Sequence, residues 1–307
     1  MRKESIKKLL LMVVALCMSM ALFAGCGTDK DLNTSGSSST SDESVSSASS
    51  ATSGPVTLED IKKSGKLVVA TEAAYEPFEY LDGDKIIGYD ADLFQKIADD
   101  LGVKLEYHDV PFQGILAGLE ARKYDVAGAC LGITAERASK YAMTYPIQEG
   151  TTVLIKRKGD DSIKTLDDIA GKTIGTQTAS YNEADLKIYE EQLKKEGKAS
   201  FGTVKTYDSF PEAYMELKNS TVDLVAQGQA QSNNLVQKHP DDFEILPGTV
   251  GQKTYLGWAV RKDDKELYDF INQEIAKFAA DGTLAQLQEK WFGKSVQLPQ
   301  SDYIPQS

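Results

Sequence analysis

Lys66-Leu67-Val68-Val69-Ala70-Thr71 is the stretch on which the fold turns. It is a short apolar run, set off by Gly65 before it and by a turn-rich segment after it, and it reads as a buried strand. Outward from it the pattern alternates. Asp90 to Leu101 places Leu93, Phe94, Ile97 and Leu101 on one face of a helix, and Gly102 stands where such a helix stops. Val103 to Val110 reads as a strand, Pro111 to Arg122 as a helix with Ile115, Leu116 and Leu119 inward, and Tyr124 to Ala129 as a third strand. Thr134 opens a short helix, and Thr151 to Arg157 is a further strand. A second block follows. Thr165 caps a short helix, strands are expected at 172–176, 203–207, 222–226 and 243–246, and helices at 183–196, 209–218 and 229–238. Thr254 to Arg261 is the last strand, before helices at 265–280 and 284–290. Two βαβ blocks in succession predict an α/β protein with largely parallel sheets covered by helices. Ligands of such sheets sit beyond the carboxyl ends of the strands, so the residues after Ala70, Ala129, Thr176 and Ala226 are the places to look for function.

The N-terminus carries a different message. Arg2, Lys3, Lys7 and Lys8 stand against one acid, Glu4, and an apolar run from Leu9 to about Phe23 ends in Ala24-Gly25 before Cys26. A basic start, a short apolar stretch and small residues at the cut describe a secretory signal over 1–25. The run is near the lower limit of roughly 17 residues for a spanning helix, so an uncleaved anchor is the competing reading; the small residues before Cys26 fit cleavage better. Leu22-Phe23-Ala24-Gly25-Cys26 resembles the lipobox of bacterial lipoproteins, with Phe23 where that family usually has Leu. The resemblance implies that Cys26 is lipidated and holds the protein to the outer face of the cell membrane. Residues 26–56 are dominated by Ser, Thr, Gly and Asp, too poor in apolar groups to offset chain entropy, and read as a flexible tether.

About 250 residues remain behind the tether, ample for a core and enough for two lobes. Cys17 lies in the signal and Cys26 is the expected lipid site, which leaves Cys130 without a partner for a disulfide. Net charge is −12 overall and near −15 once the basic signal is set aside, which argues against nucleic acid as a partner. His108 and His239 lie apart from any Cys, Asp or Glu spacing that would hold zinc or build a triad, so neither a metal nor a catalytic residue is expected. No GxxxxGK[ST] or GxGxxG follows a strand, and no cofactor is expected. Cys130 at a strand end reads as a small buried hydrophobe. Asp167 and Asp168 read as helix-start charges.

Several ordered motifs resemble the family 3 extracellular solute-binding proteins, the receptor subunits of polar amino-acid ABC importers. Thr71-Glu72-Ala73-Ala74-Tyr75-Glu76-Pro77-Phe78-Glu79 is similar to that family's first ligand loop, and Gly88-Tyr89-Asp90-Ala91-Asp92-Leu93 to the helix that follows. Ile133-Thr134-Ala135-Glu136-Arg137 resembles its carboxylate-binding turn, and Leu166-Asp167-Asp168-Ile169-Ala170-Gly171-Lys172-Thr173-Ile174-Gly175 the opening of its second lobe. Asp281-Gly282-Thr283-Leu284 and Lys290-Trp291-Phe292-Gly293 resemble its C-terminus. The likeness runs from about Leu58 to Gly293. It implies a periplasmic-binding-protein-like fold of two α/β lobes joined by a two-strand hinge: lobe 1 over 57–151 and 256–295, lobe 2 over 155–250, and a tail over 296–307. It implies a monomer that captures an amino acid or related small carboxylate by hinge closure, performs no chemistry on it, and presents it to an ABC permease.

The same resemblance assigns the site. Arg137 is the expected carboxylate clamp, since a guanidinium fork fits a carboxylate bidentately, and Gly132 and Thr134 flank it. Tyr75 and Phe112 correspond to aromatic walls, Glu72 to an acid reaching the ligand's far end, and Gln177, Ser180 and Tyr181 to the second lobe's carboxylate loop. Gln227 and Gly228 match the loop that usually holds the ammonium group, but the family's Asp is here Gly228, and Gly132 and Cys130 also depart from the usual residues. A buried ammonium without an acid is costly. Either Glu72, Glu76 or Glu183 takes that role, or the ligand is not a plain α-amino acid. A dehydratase-like enzyme using Glu72 or Glu183, and a ligand-sensing module acting through a membrane partner, are the alternatives.

Overall fold

The computed structural model describes residues 54–305. The signal, Cys26 and nearly all of the tether lie outside the described residues. Helix α1 (Leu58–Ser64) opens on a capping box in which Thr57 and Asp60 satisfy each other's backbone N–H groups, an arrangement worth about 1 kcal/mol. It leads into β1 (Lys66–Thr71). A small antiparallel sheet follows, β2 (Ala74–Tyr75), β3 (Glu79–Asp82) and β4 (Lys85–Ile87). Next come α2 (Tyr89–Leu101), β5 (Lys104–Asp109), α3 (Phe112–Glu120), β6 (Val126–Gly132), α4 (Ala135–Lys140), β7 (Ala142–Met143) and β8 (Gln148–Arg157). The second stretch holds β9 (Ile174–Gln177), α5 (Tyr181–Lys195), β10 (Val204–Tyr207), α6 (Phe210–Lys218), β11 (Leu224–Gly228), α7 (Gln229–Lys238), β12 (Phe243–Ile245) and β13 (Val250–Val260). Helices α8 (Lys265–Ala280) and α9 (Thr283–Phe292) close the chain.

The strands form a continuous hydrogen-bonded path in the order β10-β9-β11-β8-β13-β6-β1-β5. At one end β5, β1 and β6 run parallel; at the other β10, β9 and β11 do. Antiparallel β8 and β13 join the two. Gly150 pairs with Thr254 and Gln148 with Leu256; beyond that shared segment β8 turns its edge to β11 and β12, and β13 turns its edge to β6 and β7. The chain therefore makes two α/β lobes linked by two crossing strands. Gly251 sits beside the irregularity between Val250 and Thr254, with φ +78° and Asp185 packed where a side chain would go, so only glycine fits there.

The apolar face read from α2 is the one that packs: Leu93, Phe94, Ile97 and Leu101 are all buried. Phe94 lies against Trp258 of β13 at 3.9 Å between ring centroids, and Trp258 Nε1 donates to Asp90 at 2.6 Å. In α3, Ile115 and Leu119 are fully buried and Leu116 half-buried. The far lobe has its own core of Leu154, Ile169, Ile174, Leu186, Leu193 and Leu224. Beyond α9 the chain folds back: Tyr303 is buried, donates to the Met143 carbonyl and packs edge-on against Tyr145. None of the described helices is long and apolar enough to cross a membrane.

Candidate functional site

The strand ends converge on the seam between the lobes. Glu72 follows β1, Ala129 and Cys130 belong to the end of β6, Gln177 ends β9, and Ser180 and Tyr181 open α5. With Tyr75, Glu79, Phe112, Asn182 and Phe210 they line one small cavity of about 10 Å³, room for about one water. A second hollow of about 270 Å³ adjoins it and shares Phe112, Ser180 and Tyr181; Thr134 and Arg137 line it together with Ala179 and Glu183. The two hollows bring together eight of the ten residues expected from the sequence. Gly132 lies against the ring of Tyr181, and Gln227 is buried where it accepts a hydrogen bond from Tyr214 Oη. A larger hollow of about 420 Å³ lies between α7, β8 and the end of α9, and none of the expected ligand residues lines it.

Arg137 is held by both lobes. Its guanidinium donates to the Gly132 carbonyl at 2.8 Å on its own side and to the Ala179 carbonyl at 2.9 Å across the seam, and it lies 5.8 Å from the centre of the Phe112 ring. Thr134 caps α4 by accepting the Arg137 backbone N–H at 3.1 Å. Burial lowers the Arg137 guanidinium to about 10, opposed by Glu136, Tyr141 and Tyr75, and it stays cationic at neutral pH. Ser180 caps α5 in the same manner, accepting from Glu183 N.

Further contacts close the seam. Gln177 Nε2 donates to both oxygens of Glu72, at 2.9 and 2.8 Å, and to the Asp208 carbonyl at 3.0 Å. Gln113 Nε2 reaches the same Asp208 carbonyl at 3.1 Å. The Tyr75 and Phe210 rings meet at 5.6 Å. Lys238 pairs with Glu76 and lies over the Tyr80 ring.

Tyr181 explains the two unusual glycines. A Cβ at Gly132 would stand 2.7 Å from Tyr181 Cγ, and a Cβ at Gly228 would stand 2.5 Å from Tyr181 Oη. The ring, 4% exposed, occupies the space left at Gly132, while at Gly228 its hydroxyl shares the space with Gln231, whose Oε1 would stand 2.2 Å from a Cβ. Around that corner Tyr181 Oη, Asn182 Oδ1 and both amide atoms of Gln231 are buried without a hydrogen-bond partner among the described residues. The corner is polar, and the buried Asp185 carboxyl acts on it from behind through Thr152 and Asn182.

Glu72, Glu79 and Asp90 gather elsewhere. Glu72 is pushed up to about 7, chiefly by burial, with Gln177 lowering it and Asp109 raising it. Glu79 is 1% exposed, and neither of its oxygens has a partner among the described residues. Burial, then Asp90 and Glu72, hold its acid well above the ordinary range. Asp90 behind it is pushed up to about 8 by burial despite the bond from Trp258. Of the other candidate acids, Glu76 pairs with Lys238, while Glu183 accepts from Lys187 and from Ala179 N. Burial pushes the Cys130 thiol up, consistent with a packed hydrophobe.

Sequence reasoning missed Glu79, Asn182, Phe210 and Gln231. Glu79 closes the first-loop motif, and its buried place on β3 depends on the small β2-β3-β4 sheet, whose strands are too short to show a period.

Residues 67–294 match the profile of the bacterial extracellular solute-binding proteins, family 3, and the chain belongs to that family. It is 32% identical over 241 residues to the L-cystine-binding protein TcyJ of Escherichia coli (strain K12), covering 78% of this chain and 87% of TcyJ. It is 29% identical over 294 residues to the arginine-binding extracellular protein ArtP of Bacillus subtilis (strain 168), covering 93% and 98%. Among solved structures, an ancestral arginine-binding protein bound to arginine superposes with a TM-score of 0.66 at 38% identity, covering 75% of this chain and 99% of that one. An ancestral amino acid-binding protein described as a precursor of cyclohexadienyl dehydratase superposes with a TM-score of 0.68 at 28% identity, covering 76% and 99%. The chain is a solute-binding protein with the two-lobed fold of the amino-acid-binding members.

Proposed function

We propose that this chain is the extracytoplasmic substrate-binding lipoprotein of an ABC importer, held by a lipid on Cys26 and a tether over 26–56, that captures an amino acid or related small carboxylate by closing two lobes. Lobe 1 comprises 57–151 and 256–295 and lobe 2 comprises 155–250; the change of sheet neighbours along β8 and β13 supports these bounds. Closure is the signal an ABC permease reads, and the captured solute leaves unchanged.

The observation that carries this reading is Arg137. It stands at the seam, still cationic, with its donors on two backbone carbonyls, one from each lobe. A ligand carboxylate is a stronger acceptor than a neutral carbonyl, so it competes for the fork and is then held by both walls. Arg137→Ala removes the clamp and the crossing hydrogen bond together. In a thermal-shift screen of amino acids, N-methylated amino acids and small carboxylates, the wild type gains melting temperature with its ligand and the variant does not; a full response from the variant refutes carboxylate capture by Arg137.

A second reading, an enzyme on the same fold, draws support from Glu72, whose acid is raised to about 7 and so suited to proton transfer at neutral pH. Turnover of the ligand found in the screen would establish it, and recovery of that ligand unchanged after prolonged incubation rejects it.

A further inference from the structure

The Tyr181 corner is backed by a buried acid that reaches both crossing strands. Asp185 stands one turn along α5 from Tyr181 and is 3% exposed. Thr152 Oγ1 of β8 donates to its carboxylate at 2.5 Å, and the Gln252 backbone N–H of β13 also steadies it. Gly251 leaves it room, since a Cβ there would stand 2.4 Å from Asp185 Cβ. The Thr152 hydroxyl, itself buried, has a second neighbour, Asn182 Nδ2 at 2.8 Å. A hydroxyl carries one proton, and a carboxylate only accepts. The Thr152 proton therefore goes to Asp185, and the contact with Asn182 must be one that Thr152 accepts. That settles which end of the Asn182 amide is which: Nδ2 is turned to β8, and Oδ1 is left over. Asn182 is 0% exposed and lines the small cavity at the seam, and its Oδ1 has no partner among the described residues. A buried acceptor without a donor is costly.

We propose that Asp185 is a positioning residue: acting through Thr152, it holds the Asn182 amide with Oδ1 toward the solute, and the solute meets that oxygen with an N–H or O–H donor. The proposal rests on the solute-capture reading and specifies what the solute carries beside its carboxylate. Gly228, which stands where an acid was expected, pairs in register with Thr152, so the acid of this corner lies one layer back, behind a hydroxyl and an amide. A charge at that remove polarises the acceptor without demanding a cation, and a neutral donor suffices. Other charged groups of the packed elements are taken up by one another: Glu149 of β8 pairs with Lys253 of β13, Lys156 and Arg157 of β8 with Glu244 and Asp160, and Glu183 with Lys187 on α5. Tyr181 stays neutral, and β9 and β11 carry no titratable group. Burial pushes Asp185 up to about 6, with Thr152 and Gln252 lowering it, so it is a carboxylate at neutral pH. Once protonated it can donate to Thr152; the hydroxyl then turns to Asn182, and the amide is free to reverse and offer Nδ2.

The test is titration calorimetry and side-chain amide NMR on the whole chain in detergent. The probes are L-arginine and L-glutamine, each beside its des-amino analogue, with hydrogen in place of the α-ammonium, and its α-hydroxy analogue. At neutral pH the amino acid and the α-hydroxy analogue are expected to bind at least about tenfold more tightly than the des-amino analogue. Thr152→Val, equal in size but without the hydroxyl, is expected to lose most of that preference while melting cooperatively, and Thr152→Ser to restore it. Asp185→Asn is a second variant: its amide can donate to Thr152, so neither end of Asn182 is fixed and the preference falls. In the ligand-free chain the Asn182 Nδ2 protons are expected to shift with pH around a midpoint near 6, and not to do so in Thr152→Val. A folded Thr152→Val or Asp185→Asn that discriminates as the wild type does overturns the relay, as does an Asn182 signal indifferent to pH. An α-hydroxy analogue that binds no more tightly than the des-amino one shows that a cation is demanded and overturns the neutral acceptor. Failure is separable from failure of solute capture. If the des-amino analogues bind as tightly as their parents, capture stands and the positioned acceptor falls. If no probe binds, but the Asn182 signal titrates in the wild type and not in Thr152→Val, the relay stands and amino-acid capture falls.

Discussion

Placing a single methyl group at position 132 separates closure from folding. Gly132 ends β6 in ordinary extended backbone, so alanine meets no conformational penalty there, and within its own lobe its three nearest contacts impose none. All three of those contacts are atoms of Tyr181, from the opposite lobe, with Cγ at 2.7 Å and Cβ nearer still. The clash exists only when the lobes are together. Overpacking of this kind costs about 1–3 kcal/mol, which weakens closure, and ligand affinity with it, by roughly 5- to 150-fold. The melting temperature of the ligand-free chain should hold or rise slightly, because Gly→Ala at a compatible site stabilises by about 0.4–1 kcal/mol through the unfolded state. Small-angle scattering with and without ligand reads closure, and calorimetry reads affinity. The double variant Gly132→Ala/Tyr181→Gly removes both the Cβ and the ring that the methyl strikes and should recover most of the loss, giving a coupling energy of similar size. If Gly132→Ala alone binds and compacts as the wild type does, Tyr181 does not fill the corner in the closed state, and the account of both glycines fails.

Three further outcomes follow from the geometry. Asp90 is raised to about 8 and Glu72 to about 7, from ordinary values near 4. For an acid raised on folding, stability is full below the unfolded value and falls as pH climbs to the folded one. The ligand-free melting temperature should therefore drop between pH 5 and 8, and Asp90→Asn, which keeps an acceptor for Trp258 Nε1, should flatten that drop; a midpoint that rises across this window refutes the assignment. Lys238→Ala removes one exposed pair across the seam, with Glu76, and should cost no more than about 1 kcal/mol, or fivefold in affinity, an effect that shrinks further in high salt. Gln177→Ala strips Glu72 of its donor and should raise its acid further, visible as an upward move of the corresponding carboxyl titration by NMR.

The elements were largely legible because their signals are local. Leu93, Phe94, Ile97 and Leu101 repeat at helical spacing, and Thr134, Thr165 and Ser209 open helices through side chains that act within three residues, whereas the short helix capped by Thr57 and the first turn capped by Ser180 were not read. Strand ends were read less well. β6 continues past Ala129 to Gly132, held there by the antiparallel partner β13, more than a hundred residues away. The two glycines stood out in the sequence as departures, but their reason lies in Tyr181, across the seam from Gly132 and on the same lobe as Gly228, together with Gln231 beside Gly228. Arg137 was legible as a candidate clamp; its grip on Ala179 was not, since that contact exists only across the seam. Glu79 escaped notice because burial and the lack of a partner are properties of its surroundings.

The strand order bears on how the chain reaches this fold. β13, the last strand among the described residues, lies between β8 and β6 in the middle of the sheet. Until residues near 260 are available, β6 has β1 on one side and an open edge on the other, and β8 lacks the neighbour that ties it to the first lobe. Such long-range pairing is slow, and the open edges are exposed to wrong partners in the meantime. A strand order that puts the last strand at the centre of the sheet thus also delays commitment to the native state until nearly all of these residues are available.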